Sequence, residues 1–140
     1  MQLEIIKTAL DIIHIHALET FPNECCGFMF GHDKEQRKIT ECRSVTNSQE
    51  GDRRRRFEIS PVEYLRAEKY ALENNLELLG IYHSHPLHPA KPSEHDRVQA
   101  IGFFSYVITS VFQKDIRDTT SWRLNDQRQF DQEILQLVEQ

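Results

Sequence analysis

Near the middle of the chain a compact apolar run, Leu76 to Tyr82, leads without a break into His83-Ser84-His85-Pro86. The run is short and is bounded by Asn74-Asn75 before it and by prolines after it, so it reads as a strand. A strand this apolar needs a sheet to lie in and other elements to cover it. The rest of the chain supplies both. Cys26 to Phe30 is a second short apolar run, ended by Gly31 and the polar turn His32–Glu35, and a strand from about Lys38 to Val45 completes a hairpin. Phe104–Phe112 and Thr119–Leu124 read as two further strands joined by the polar turn Gln113–Asp118.

Helices interleave with these strands. In residues 3–20, Ile6, Leu10, Ile13 and Ala17 recur at helical spacing and Ile5, Ala9 and Ile12 widen the stripe, which predicts an N-terminal helix stopped by Pro22-Asn23. His14 and His16, two apart on that helix, point to different faces and do not make a metal pair. Ser60-Pro61-Val62-Glu63 marks a helix start, with Ser60 as cap, Pro61 at the first helical position and Glu63 completing a capping box. That helix should run to about Glu73. A short helix is expected from Glu94 to about Ile101, and a last one from Phe130 to Val138 with Phe130, Ile134, Leu137 and Val138 on one side. Between Asn47–Asp52 and Phe57-Glu58-Ile59 lies an extended stretch carrying Arg53-Arg54-Arg55-Arg56, expected as a solvated strand edge or a partner-docking patch. No repeat, low-complexity tract or linker interrupts the 140 residues. The expectation is one α/β (mixed α+β) domain over residues 1–140, with a mixed central sheet flanked by helices.

Composition narrows the partners. A hydrophobic content of 39% is enough for a core, and a formal net charge of −5 argues against broad phosphate-backbone binding. No nucleic acid partner is expected. No segment has the ~18–20 apolar residues needed to span a bilayer. Glu4, Lys7 and Asp11 interrupt the first apolar stretch and no small-residue cleavage pattern follows, so it does not read as a signal peptide. Cys25, Cys26 and Cys42 are odd in number and two are adjacent, which predicts buried free thiols in a reducing cytoplasm.

The chemistry gathers in His83-Ser84-His85-Pro86-Leu87-His88-Pro89-Ala90-Lys91-Pro92-Ser93-Glu94-His95-Asp96. If the strand continues through His83 and His85, both imidazoles point to one face, because strand side chains alternate with period two. Two imidazoles on one face suit zinc, and Asp96, in the first turn of the next helix, is placed to add a carboxylate. Pro86, Pro89 and Pro92 stiffen the loop between them. Two histidines and one carboxylate leave a fourth tetrahedral position for water, the arrangement of a catalytic site. Hydrolysis then needs a base and an oxyanion donor, for which Glu24 and Ser93 are the candidates. Ser93-x-x-Asp96 is also a capping box, and the two readings are compatible because the cap fixes where Asp96 points. His88 and His95 are expected as exposed loop residues.

This segment resembles the JAMM motif of the JAB1/MPN/Mov34 metalloproteases, with every motif position filled. The resemblance implies zinc, one ion per chain, on His83, His85 and Asp96, with Ser93 assisting the oxyanion and Glu24 as base. Pro22–Gly31, Phe57–Tyr64 and Leu78–Pro86 resemble the small bacterial branch of the family, so the likeness covers most of the chain. It implies a JAB1/MPN fold akin to that of cytidine deaminases. It also implies hydrolysis of an amide after the C-terminal Gly-Gly of a ubiquitin-like sulfur-carrier protein, by a monomer or weak homodimer. The arginine run departs from the family pattern. The rival reading is a non-catalytic MPN-type scaffold, although such relatives usually lack the ligands present here. A zinc deaminase would need His-x-Glu followed by Pro-Cys-x-x-Cys, and neither occurs.

Overall fold

Seven strands and three helices follow one another in the computed structural model, which describes residues 1–139. They run β1 (Gln2–Ile6), α1 (Lys7–Thr20), β2 (Cys26–Asp33), β3 (Arg37–Val45), α2 (Pro61–Glu73), β4 (Glu77–Pro86), α3 (Glu94–Gln99), β5 (Ser105–Phe112), β6 (Asp115–Leu124) and β7 (Phe130–Val138). The strand order is β1-β3-β2-β4-β5-β6-β7, and β7 returns to β1 so that the mixed sheet closes on itself. Pairs β1/β3, β1/β7 and β4/β5 are parallel and the others antiparallel. The mixed α/β architecture expected from the sequence is the one observed.

Side-chain alternation divides the core in two. Ala9, Ile13 and Ala17 of α1 pack against Leu3, Ile5, Met29, Ile39, Tyr82 and Val107. On the other face, Ala67 and Ala71 of α2 pack against Phe28, Phe30, Ile81 and Tyr106. Complete burial of an Ile or Leu contributes about 1.5–3 kcal/mol, so these two layers hold the sheet between α1 and α2. Gly27 has a specific reason: a Cβ there would stand 2.3 Å from the Tyr82 ring and 2.5 Å from the Arg43 carbonyl. Only a residue without that atom lets Tyr82, the neighbour of His83, fill the interior.

Two expected helices are corrected. The N-terminal helix begins at Lys7 and not at residue 3, because Gln2–Ile6 form β1. Leu3 and Ile5 alternate with Gln2 and Glu4, and parallel pairing to both β3 and β7 outweighs the helical stripe that Ile5 and Ile6 also fit. Residues 130–138 are β7 and not a helix. Their inward residue is a charge: Glu133, 3% exposed, accepts from Ser121 Oγ at 2.8 Å and Arg123 Nε at 2.8 Å. Ile134 and Leu137, the apolar residues that suggested a helix, are exposed. The arginine run is also not extended; residues 53–55 form an exposed turn. At α2, Ser60 Oγ accepts from Glu63 N at 3.4 Å, but Glu63 pairs with Arg66 instead of completing the box.

Candidate active site

Strand β4 is interior to the sheet, with His83 beside Cys26 of β2 and Ile108 of β5, so its C-terminal end is held from both sides. It continues through His85 to Pro86, which places both imidazoles on the face of Ile81. The loop that follows hangs from neighbouring strands. Leu87 N donates to Val111 O at 2.8 Å, Thr120 Oγ1 to Ala90 O at 2.6 Å, and Ser110 Oγ to His88 O. These contacts bring Ser93 to the start of α3, where the full capping box forms. Asp96 N donates to Ser93 Oγ at 3.0 Å and Ser93 N to Asp96 Oδ2 at 2.9 Å. The cap therefore aims Asp96 back at the strand.

His83 Nε2, His85 Nε2 and Asp96 Oδ2 meet there. The separations are 3.1 Å between the two nitrogens, 3.3 Å from His83 to Asp96 and 3.1 Å from His85 to Asp96. His85 Nδ1 lies 2.9 Å from Pro89 O, so that nitrogen carries the proton and Nε2 presents a lone pair. A carboxylate oxygen and an imidazole lone pair repel at this distance unless something positive lies between them. Ligand atoms bound tetrahedrally at 2.0–2.1 Å stand about 3.3 Å apart, close to the observed triangle. Two neutral imidazoles and one carboxylate are also a donor set that zinc takes. The three residues fit a zinc ion. Among the described residues they form the one such cluster of potential ligands.

Glu24 reaches the site from the next strand. Cys26 pairs with His83 across the antiparallel β2/β4 ladder, so two residues back Glu24 falls opposite His85 on the same face. Cys25 between them is tied across by its N–H to Ser84 Oγ at 2.8 Å and by Ser84 N to Cys25 O at 3.2 Å. Glu24 N donates to Arg53 O at 2.7 Å, and Asn47 Nδ2 holds the Glu24 carbonyl at 3.1 Å. The backbone of Glu24 is thus fixed. Its Oε1, by contrast, is buried with no hydrogen-bond partner among the described residues. Glu24 and His85 line an open cleft of about 440 Å³ with Arg55, His88, Pro89, Lys91 and Ser93.

Burial, and then the charge of Asp96, push the Glu24 carboxyl up to about 9. Burial holds His83 neutral, below its ordinary value. Burial alone would raise Asp96, but His83 and His85 beside it hold its carboxyl below the usual carboxylate range. In the metal-free protein Glu24 is therefore protonated in the folded state where the unfolded chain has lost that proton. Stability falls as pH rises from about 4.5 towards 9, by about 1.4 kcal/mol per unit for one proton. His83, His14 and His16 act with the opposite sign around and below pH 6.5, and the three buried thiols add to the decline near pH 9. The Glu24 contribution is therefore read as the difference between wild type and Glu24→Gln between about pH 7 and 8. Denaturant melts of chelator-treated protein should show this decline, and Glu24→Gln should flatten it. A wild-type slope unchanged by Glu24→Gln would refute the assignment.

The sequence did not point to several supporting residues. Phe57 stacks on His83 with ring centroids 4.5 Å apart. Asn47 binds the carbonyls of Glu24 and Arg56 and accepts from Gln49 N and Glu58 N. An Asn opening a polar loop is the signal available for it. Of the two extra histidines, His88 is exposed as expected. His95 is only half-exposed, and it lines a smaller cavity of about 110 Å³ behind His83 with Phe57, Ile59, Tyr64, Ile81 and Tyr106. His14 and His16 bond to Thr119 Oγ1 at 2.9 Å and to the Tyr82 hydroxyl at 2.7 Å, away from the triad. The three cysteines are buried and free, and burial raises all three thiols.

Residues 7–125 match the family of prokaryotic homologs of the JAB domain. The desampylase of Pyrococcus furiosus is 40% identical over 73 residues, 52% of this chain; the chain spans about half (49%) of that relative's length. The solution structure of a Desulfitobacterium hafniense protein superposes with a TM-score of 0.86 at 28% identity, covering 99% of this chain and 94% of that one. A JAB1/MPN domain protein from Archaeoglobus fulgidus shares the fold, with a TM-score of 0.63 at 19% identity over 97% of this chain and 99% of that one. The family match runs unbroken from α1 through Glu24, both histidines and Asp96 to the end of β6, and by it the chain belongs to the prokaryotic homologs of the JAB domain.

Proposed function

We propose that the chain is a zinc-dependent peptidase that hydrolyses the amide bond after the C-terminal Gly-Gly of a ubiquitin-like carrier of the sulfur-carrier type, in the cytoplasm. The observation that carries this reading is the convergence of three ligand atoms beside a cleft that also holds an unpartnered Glu24 oxygen. The likeness to a desampylase supports it. His83, His85 and Asp96 would hold the ion. Bound there, zinc would supply Lewis acidity, polarising the scissile carbonyl and lowering the pKa of water to about 7.

Glu24 Oε1 takes the proton of the attacking water and passes it to the leaving nitrogen. A carboxyl held near 9 is a poor base at neutral pH, and with a dication held at the triad the ionised form of Glu24 would be favoured. Ser93 Oγ accepts from Asp96 N, which leaves its own O–H free to donate to the oxyanion from the exposed rim of the cleft. The ligand side chains are recessed, His83 at 0%, His85 at 6% and Asp96 at 9% exposure. A peptide backbone that must approach ligands this deep does so most easily as glycine.

Carrier fusions ending in Gly-Gly and in Gly-Ala, followed by the same extension, test this by mass spectrometry. Cleavage should fall directly after the second glycine. The alanine version should react about 10–200-fold more slowly, the range for one added methylene in a fitted site. Equal rates would refute the glycine requirement.

A further inference from the structure

We propose that Ser110 and Thr120, the latter aligned by Trp122, are positioning residues for the zinc centre: they clamp the loop whose Pro89 carbonyl sets the ring of His85. The inference rests on the metal reading proposed above and adds the groups that tune one of its ligands.

Strand register puts these side chains where the loop needs them. His83 pairs with Ile108 and His85 with Ser110 across β4/β5, and Ile108 pairs with Thr120 across β5/β6. Paired residues share a face, so Ser110, Thr120 and, two residues on, Trp122 stand on the face of the two imidazoles. Thr109 and Thr119 fall on the opposite face, where Thr119 Oγ1 lies 3.2 Å from Thr109 Oγ1 and 2.9 Å from His14 Nε2 of α1.

The donor sense of each contact is fixed. An indole N–H can only donate, so Trp122 Nε1 gives its proton to Thr120 Oγ1 at 2.8 Å. Thr120 Oγ1 then donates its own proton to Ala90 O at 2.6 Å, and Ser110 Oγ donates to His88 O. Both hydroxyls are buried, where water is a poor substitute partner. Pro89 lies between the two clamped carbonyls, and its ring fixes its own φ. Little freedom is left to the Pro89 carbonyl, which accepts from His85 Nδ1 at 2.9 Å and from Lys91 N at 2.9 Å.

His85 depends on that carbonyl in a way that His83 does not depend on any acceptor. His83 is fully buried and stacked on Phe57, and its Nδ1 has no hydrogen-bond partner among the described residues. Packing holds that ring. His85 borders the open cleft, and outside the triad its ring makes one hydrogen bond among the described residues, to Pro89 O. The bond keeps the proton on Nδ1 and aims the Nε2 lone pair at the point where the ligand atoms converge. A displaced carbonyl frees the ring to rotate or to carry its proton on Nε2. Either change takes that lone pair from the ion.

The test needs no substrate. Thr120→Val keeps the shape of the side chain and removes the donor, Thr120→Ser keeps the donor, and Ser110→Ala removes the other clamp. Thr109→Val is the control, a buried threonine on the opposite face of the same sheet. Zinc affinity is measured by competition with a chromophoric chelator, and the visible spectrum of cobalt-loaded protein reports the ligand geometry. Thr120→Val and Ser110→Ala should each bind zinc about 10–100-fold more weakly, the effect of losing a group that orients a ligand, and should change the cobalt spectrum. Thr120→Ser should restore both readouts, and Thr109→Val should keep both whatever its effect on stability. In the metal-free protein the ring ¹⁵N shifts of His85 should report the Nδ1–H tautomer in wild type and a mixture in Thr120→Val. Unchanged affinity and spectrum in Thr120→Val and Ser110→Ala would overturn the positioning role and leave the zinc reading standing. So would Thr120→Ser as weak as Thr120→Val, or an equal loss in Thr109→Val. Failure of the wild type to take up either ion would overturn the zinc reading and this inference with it.

Discussion

Glu24→Gln is expected to keep one zinc per chain and to lose turnover by about 10²–10⁴-fold, the contribution of a positioned proton-transfer group. The expectation follows from where Glu24 stands. Its backbone is fixed by Arg53 and Asn47, and its side chain is not one of the three groups whose ligand atoms converge. Gln keeps the shape and a hydrogen-bonding carbonyl oxygen but replaces the basic carboxylate with an amide. Because Glu24 is protonated at neutral pH without metal, the substitution should leave the metal-free fold intact or more stable, so lost activity is not lost structure. Metal analysis and single-turnover rates on the same samples decide the matter. A variant that loses zinc in proportion to its activity would make Glu24 a ligand and remove it as the base.

The parts of this site that were legible in the sequence are those set by short-range rules. Period-two alternation places His83 and His85 together, and the capping pattern Ser93-x-x-Asp96 turns the carboxylate towards them. Both rules act within a few residues, so a linear reading carries them. The hairpin β2/β3 and the start of α2 at Ser60-Pro61 were equally readable. What was not readable depends on partners distant in the chain. β1 and β7 are strands because each finds a partner along its length, β1 on both sides, whereas Ile134 and Leu137 spaced along β7 imitate one face of a helix. A buried Glu133 satisfied by Ser121 and Arg123 defeats any reading that looks for apolar residues on the inner face. The arginine run was visible as a charge cluster. That Arg55 lines the cleft while Arg54 is held by Asp52 follows from a turn that Asn47 and Glu24 fix, and no spacing rule encodes it.

Loss of a proposed ligand should have the largest effect of all, and His83, His85 and Asp96 differ in how cleanly they test it. His83 is fully buried and stacked on Phe57, so His83→Ala leaves a cavity beside that ring and destabilises the fold. A failure to bind zinc would then have two explanations. His85 borders the open cleft and is not stacked under an aromatic ring as His83 is, and Asp96→Asn keeps an oxygen that accepts from Ser93 N, so α3 stays capped. His85→Ala and Asp96→Asn should therefore stay folded while zinc affinity falls by well over the roughly 10–100-fold that loss of a supporting residue causes. Zinc binding only the folded state raises its stability by RT ln(1 + [Zn]/Kd), about 2.7 kcal/mol at a hundredfold excess over Kd. Melting curves with and without zinc thus report affinity independently of any substrate. The wild type should shift upward with zinc, and the two variants should show little or no shift at the same concentration. A variant that keeps the full wild-type shift would show that its residue does not hold the metal. If the wild type itself takes up no zinc, the repulsion among the three facing acceptors must be relieved by protons, and the catalytic reading fails with it.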